Sequence, residues 1–369
     1  MPVPFLDLKA QYNSIKKEID SAIASVINDS AFIGGKYVKE FEQNFANAYG
    51  IKHCIGCGNG TDAIYIILRM LGIGAGDEVI TAANTWISTS ETISQTGARP
   101  VFADIDNEYY TIDENLIEAK ITPKTKAIIP VHLYGQVCNI DKIKSLCEKH
   151  NLYLIEDCAQ SHFSQYENKL AGTFGIASSF SFYPGKNLGA YGDAGCIITN
   201  DDALAERIRK FANHGSAKKH EHEFEGINSR LDGIQAAVLN VKLKRIHEWT
   251  ERRIANASLY SSLLHETGDV ITPAIRENSK HTFHLYVIRT KYRDALKKFL
   301  AENEIETSIH YPAALPNLEA YKYLNIPPED YKLTNIFQNE ILSLPMYPEL
   351  TNEQIHFVAA SIRDFFSSR

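Results

Sequence analysis

The sequence predicts an α/β fold, a largely parallel sheet covered by helices, followed by a smaller α+β unit. Two observations carry that prediction. From Ile51 to Asn200 short β-branched runs alternate with amphipathic stretches, as strands joined by covering crossovers do. After about Leu231 this rhythm gives way to one long helical run, 232–264, and then to strands and helices in no regular order. A chain of 369 residues has room for two domains at roughly 100–200 residues each. The expected division is 1–250 for the larger and 251–369 for the smaller, with the boundary inside the long helix.

Taken in order, Glu78–Ala83 (EVITAA) reads as a strand, with a helix from about Thr85. Arg99–Ile105 is the next strand, and Asp113 caps a helix that begins at Glu114, an aspartate being a favoured N-cap. Ala127–Tyr134 reads as a buried strand and Ile140–His150 as its helix. Tyr153–Cys158, Ser178–Tyr183 and Cys196–Thr199 follow as three strands with little helix between them. Parallel neighbours need long crossovers, so this crowding predicts that one of the three runs antiparallel. The second unit is expected to hold strands near Val270, at His281–Arg289 and at Thr307–Tyr311, a helix from Asp294, and terminal helices.

Composition excludes several classes. With 44% hydrophobic and 22% charged residues the chain is too apolar for intrinsic disorder. Lys and Arg number 38 against 45 Asp and Glu, a net charge of −7. That balance lacks the basic field a nucleic-acid or anionic-membrane binder needs. The opening MPVPFLDLKAQY has no basic run before an apolar core, so no secretory leader is expected. No apolar run approaches the roughly 20 residues that span a bilayer. Six cysteines in a chain of this size do not form a disulfide framework. Cys54 and Cys57 make a lone CxxC with no second pair, so no metal site is expected. The expected location is the cytoplasm.

The densest chemical signal is Ser179–Gly195 (SFSFYPGKNLGAYGDAG), in which Lys186 sits just past a strand among Pro184, Gly185, Gly189, Gly192 and Gly195. Glycine permits close approach of backbone to a ligand, which a solvent-facing lysine does not require. Asp157 ends the apolar strand Tyr153–Cys158, at the carboxyl edge where open α/β sheets bind ligands. One strand further on, Lys186 can meet it at the same edge. A lysine for a Schiff base and an aspartate for a pyridinium nitrogen are the two groups pyridoxal phosphate requires. Gly56–Asp62 (GCGNGTD) runs into an apolar helix, whose first N–H groups, at Gly60 and Thr61, suit a phosphate. Capping of that helix by Thr61 or Asp62 is compatible with this role. Glycines at 56, 58 and 60 do not fit GxGxxG, and the acidic pair Asp77–Glu78 precedes the next strand instead of closing it, so a dinucleotide site is excluded.

With these residues in place the chain resembles the DegT/StrS-type sugar aminotransferases. The matching motifs are FLDL at Phe5, FIGG at Phe32, NGTDA at Asn59, GDEVI at Gly76 and NTWIST at Asn84. They continue with VHLYGQ at Val131, IEDCAQ at Ile155, SFYPGKNLG at Ser181 and NSRLDGIQAA at Asn228, the last hundred residues matching less well. The resemblance implies a fold-type-I aminotransferase with a mixed seven-stranded sheet, a small C-terminal domain and a homodimer with shared active sites. It further implies that Lys186 forms the Schiff base with pyridoxal 5'-phosphate and that Asp157 pairs with its ring nitrogen. Trp86 would stack on the ring, with Gln160 beside its hydroxyl. Gly60, Thr61 and Ser181 would hold the phosphate, joined by Asn228 of the neighbouring subunit. Read alone, Trp86 is a core indole, Ser181 a strand hydroxyl and Asn228 a helix cap.

By the same resemblance the reaction is a ping-pong transamination from L-glutamate to a dTDP-linked 3-keto-6-deoxyhexose, giving a dTDP-3-amino-3,6-dideoxyhexose. Tyr183, His310 and Tyr311 are candidate sugar contacts, the alternative being packing for the two tyrosines and a satisfied core histidine for His310. Lys219, in the charged segment before Asn228, is a candidate for the substrate's pyrophosphate. Three other readings stand beside this one: a 4-keto nucleotide-sugar aminotransferase, a related dehydratase, and a non-catalytic protein of the same fold. The dehydratase branch carries another residue in place of the Schiff-base lysine, so Lys186 argues against it.

Overall fold

Seven short strands, β-branched chiefly in three of them, build a sheet at the centre of the molecule. The computed structural model describes residues 1–218 and 220–367. The strands are β1 (His53–Cys57), β2 (Glu78–Ala82), β3 (Arg99–Ala103), β4 (Thr125–Ile129), β5 (Tyr153–Asp157), β6 (Ala177–Ser181) and β7 (Gly195–Thr199). Their spatial order is β1-β7-β6-β5-β4-β2-β3. The pairs β6–β5, β5–β4, β4–β2 and β2–β3 are parallel, and β7 runs antiparallel to both β6 and β1. This is the antiparallel strand that the crowding after Tyr153 requires. It needs no crossover helix, so 182–194 return to the sheet as a loop.

Both faces of the sheet are covered, and successive residues of one strand enter different cores. Ile128 and Ile198 lie in one apolar cluster with Phe41, Phe45 and Phe180, whereas Ile129 and Ile197 lie in the other with Ile64, Ile67 and Ile155. That is the period-two alternation of a strand buried on both faces, and each such side chain contributes about 1.5–3 kcal/mol by leaving water. A further cluster gathers Tyr260, Leu264, Tyr286, Leu296, Leu342 and Val358 with Val3 from the chain's first residues. At its centre Tyr286–Arg289 pairs antiparallel with Ile341–Leu344.

Several expected boundaries move. The strand read as Ala127–Tyr134 stops at Ile129, before Pro130, which has no N–H for a ladder. A single bridge from Val131 to Asp157 and a turn at Leu133–Gly135 follow. The helix after β2 begins at Ser88, leaving Thr85 and Trp86 in the loop. The long helical run is two helices, Gly233–Leu243 and Ile246–Leu264. Thr307–Tyr311 is not a strand: Ser308 bridges Ser343 and the chain then leaves the sheet, carrying His310 and Tyr311 toward β5. No helix is long and apolar enough to cross a membrane among the described residues. All six cysteines are buried and unbridged.

Candidate active site

Strands β1, β2, β4, β5 and β6 all end at one edge of the sheet, and a cavity of about 650 Å³ opens there. Asp157, the last residue of β5, is buried on its floor. The Thr89 hydroxyl donates to Oδ2 at 2.8 Å and the Ala159 N–H to Oδ1 at 3.1 Å. Burial raises the carboxyl's pKa, against those two bonds and the charge of Lys186. Lys186 is half-buried in the turn after β6, its own N–H bonded to the Tyr183 carbonyl at 2.8 Å. Burial pulls its amine from the ordinary 10.5 down to about 8, with Asp157 opposing the shift. The pair therefore faces across the cavity as a carboxylate seeking a cation and a lysine close to its free-amine form.

One wall is the first turn of the helix Gly60–Met70. Asn59, not Thr61 or Asp62, is its cap, accepting the Asp62 N–H at 2.8 Å. The N–H groups of Gly60 and Thr61, which precede the first intrahelical bond, are left at the cavity wall, a ready seat for a phosphate. A Cβ on Gly60 would stand 2.7 Å from Ser181 Cβ, so only glycine lets the helix end and Ser181 line the same wall. Thr61 Oγ1 and Ser88 Oγ share a hydrogen bond of 2.7 Å.

Aromatic and amide groups close the remaining sides. Trp86 is 57% exposed and lines the cavity 5.6 Å from the Tyr311 ring, so it is no core indole. Gln160 is held at both ends: its Oε1 accepts the Tyr134 N–H at 2.7 Å and its Nε2 donates to Tyr311 Oη at 2.9 Å. Burial and the Asp157 charge raise the Tyr311 phenol, keeping it neutral. His310 shares a 2.8 Å hydrogen bond with Ser343 and is pulled down to about 4 by burial and then by Lys186, so its imidazole is uncharged at neutral pH. Tyr183 lines the mouth and is largely exposed. Asn228 is exposed and does not line this cavity. Lys219 lies outside the described residues.

Two hydroxyls escaped the sequence reading. Thr89 holds Asp157, and Ser88 holds Thr61. Their signal is the run of hydroxyl residues in TWISTS, unusual at the start of a buried helix. Among the described residues, one cluster of metal-ligand types converges: His132, Glu156 and Cys158. Glu156 is already saturated there by the N–H groups of Gly172, Phe174 and Gly175 and by His132 Nε2. His132 Nδ1 accepts the Cys138 N–H, which fixes the Nε2–H tautomer and leaves no lone pair for a metal.

The cavity fits pyridoxal phosphate on the evidence of its own atoms. It offers a buried carboxylate short of a cation, a lysine with a depressed pKa, an indole at its rim, and a helix end pressed against a serine through a glycine. Comparison with known proteins agrees. The sequence profile of the DegT/DnrJ/EryC1/StrS aminotransferase family matches residues 13–363. The chain is 46% identical over 368 residues to the pleiotropic regulatory protein of Geobacillus stearothermophilus, covering 99% of each. It is 43% identical over 364 residues to the dTDP-3-amino-3,6-dideoxy-α-D-galactopyranose transaminase of Aneurinibacillus thermoaerophilus, covering 98% of this chain and 99% of that one. The crystal structure of DesV from S. venezuelae in complex with a ketimine intermediate superposes with a TM-score of 0.97 at 40% identity, covering 99% of both chains.

Proposed function

We propose, from the premise that the chain belongs to the DegT/DnrJ/EryC1/StrS aminotransferase family and is a pyridoxal-phosphate-dependent sugar aminotransferase, that it moves the amino group of L-glutamate to a dTDP-linked 3-keto-6-deoxyhexose. The observation that carries the reading is the convergence of Lys186 and Asp157 on one cavity. The product would be a dTDP-3-amino-3,6-dideoxyhexose, as the name of the Aneurinibacillus relative suggests. A cytoplasmic homodimer, with Asn228 of one subunit reaching the other's phosphate site, belongs to the same reading. So does a division into a cofactor-binding unit, 1–250, and a smaller unit, 251–369.

Pyridoxal phosphate, when bound, supplies a carbonyl for amine exchange and an electron-accepting ring. In this reading the protein's residues do the rest. Asp157 holds a proton on the ring nitrogen, its carboxylate kept in place by Thr89. Gly60 and Thr61 N–H groups and the Ser181 hydroxyl bind the phosphate. Trp86 covers the ring and keeps water from it, and Gln160 orients its hydroxyl side. Lys186 Nζ, in its free-amine form, would take the proton from the donor carbon and deliver it to the cofactor's carbonyl carbon. Tyr183, His310 and Tyr311 bound the space left for the sugar. His310 is neutral there, so it can donate or accept a hydrogen bond without adding charge.

The test is turnover of the purified protein with glutamate and a panel of 3-keto and 4-keto sugars linked to dTDP and UDP. Mass spectrometry and NMR of the product are expected to place the new amine on C-3 of a dTDP sugar. An amine on C-4 would replace this reading with the 4-keto one. No amine on any sugar of the panel, from protein that binds the cofactor, would favour the non-catalytic reading.

The depressed lysine pKa gives a second expected result. With a pKa of about 8, roughly one Lys186 in ten is a free amine at pH 7, against about one in three thousand at the ordinary value. The rate at which cofactor-free protein takes up pyridoxal phosphate, followed by visible absorption, should climb with pH and level off just above 8. A rate still climbing toward pH 10.5 would show an unperturbed lysine.

A further inference from the structure

The helix Gly233–Leu243 reaches the return arm of the loop that carries Lys186. Lys242 is fully buried, yet its Nζ donates to the Gly189 carbonyl at 2.7 Å and lies 4.3 Å from the centre of the Tyr191 ring. Two turns earlier Gln235 Oε1 accepts the Tyr191 N–H at 2.8 Å. A Cβ on Gly192 would stand 2.9 Å from Gln235 Nε2, so loop and helix are in direct contact. Glu349 is the carboxylate that bears on Lys242, and it makes no hydrogen bond to the ammonium.

A buried ammonium is costly unless its protons are used. An apolar side chain of similar volume would fill the space at equal or lower cost. What the ammonium adds is a directional bond to one carbonyl and an attraction to one aromatic face. That carbonyl matters because the loop is folded tightly on itself. Ala190 N–H bonds to the Phe182 carbonyl and Lys186 N–H to the Tyr183 carbonyl, and a Cβ on Gly189 would collide with the Pro184 carbonyl at 2.3 Å. Fixing residues 189–191 therefore fixes the turn in which Lys186 sits.

We propose that Lys242, aided by Gln235, is a positioning residue that clamps the 183–192 loop to the helix Gly233–Leu243 and so sets the place of Lys186 Nζ over the cavity. The proposal rests on Lys186 being the cofactor lysine. A small displacement of a reacting group is enough to cost orders of magnitude in rate, whereas the clamp itself touches neither cofactor nor substrate.

Lys242→Met and Gln235→Leu test it, singly and together. Each single variant should slow cofactor uptake by the cofactor-free protein on the order of tenfold or more and lower kcat with KM for the sugar nucleotide unchanged. The cofactor-free melting temperature of Lys242→Met should be unchanged or raised. The double variant should be slower than neither single by much, because both act on one loop. Uptake and kcat indistinguishable from wild type overturn the clamp, as does a slowed uptake matched by a fall in melting temperature. Should Lys242→Met fail to fold, Gln235→Leu decides the matter by the same two rates. Failure of the wild-type protein itself to take up cofactor would instead strike the reading of Lys186, a result distinct from either.

Discussion

Lys186→Ala is expected to cut turnover by at least about 10⁴-fold, or about 5 kcal/mol in the barrier, since in the proposed reading it removes both the anchoring amine and the group that carries the proton. The variant should still bind pyridoxal phosphate through the wall formed by Gly60, Thr61 and Ser181. Borohydride should then leave no cofactor covalently attached to it. The fold should not suffer. Lys186 has a native pKa near 8 against an ordinary 10.5, so the native state sheds a proton that the unfolded chain still holds between those values. The cost of the buried charge is therefore fully present below pH 8 and fades as pH rises to about 10.5. In the cofactor-free state the variant should melt no lower than wild type at pH 7, with any advantage gone by pH 10.5. Turnover near the wild-type rate would refute the role of Lys186, and loss of the fold would mean that its ammonium is structural.

Much of this arrangement was legible in the residues, and the parts that were not have physical causes. Lys186 and Asp157 could be paired because Asp157 ends one strand, Lys186 lies in the loop just past the next, and parallel strands end on one edge. That one of the last three strands runs antiparallel was legible from the shortage of chain for crossovers, and the pairing shows it to be β7. Strand β1 was not, since HCIGC has one β-branched residue and a glycine, and it is a strand only because β7 lies beside it. The run 232–264 keeps its apolar spacing across Lys244 and Arg245, where the helix breaks without proline or glycine. Thr307–Tyr311 has the composition of a strand, but the pairing to Tyr286–Arg289 is taken by Ile341–Leu344. Helix capping by Thr61 or Asp62 is the alternative the residues offer. Asn59 holds the place, which is what leaves the next two N–H groups for a ligand. Thr89 became visible only when the fold brought its hydroxyl to Asp157, 68 residues away.

Asp157→Asn should separate stability from activity in opposite directions. Asparagine keeps the shape and a partner for Thr89, but it cannot hold a proton on a ring nitrogen by charge. Loss of one preorganised electrostatic partner costs about 10²–10³ in kcat. In the cofactor-free protein burial holds the Asp157 carboxyl above its ordinary 3.8. For an acid with a raised native pKa, the native state binds the extra proton, so the contribution to stability is full below 3.8 and is lost as pH rises through the native value. At neutral pH the buried carboxylate is therefore a burden that asparagine removes. Cofactor-free Asp157→Asn should melt at or above the wild-type temperature at pH 7, with the difference vanishing toward pH 3. Cofactor affinity should fall, because the cation that the carboxylate awaits now meets a neutral amide. A cofactor analogue methylated on its ring nitrogen, positive without any proton, should recover part of the lost rate in the variant and none in wild type. Equal rates for variant and wild type with the natural cofactor would mean that Asp157 serves the loop through Ala159 and Thr89 alone, with no part in the chemistry.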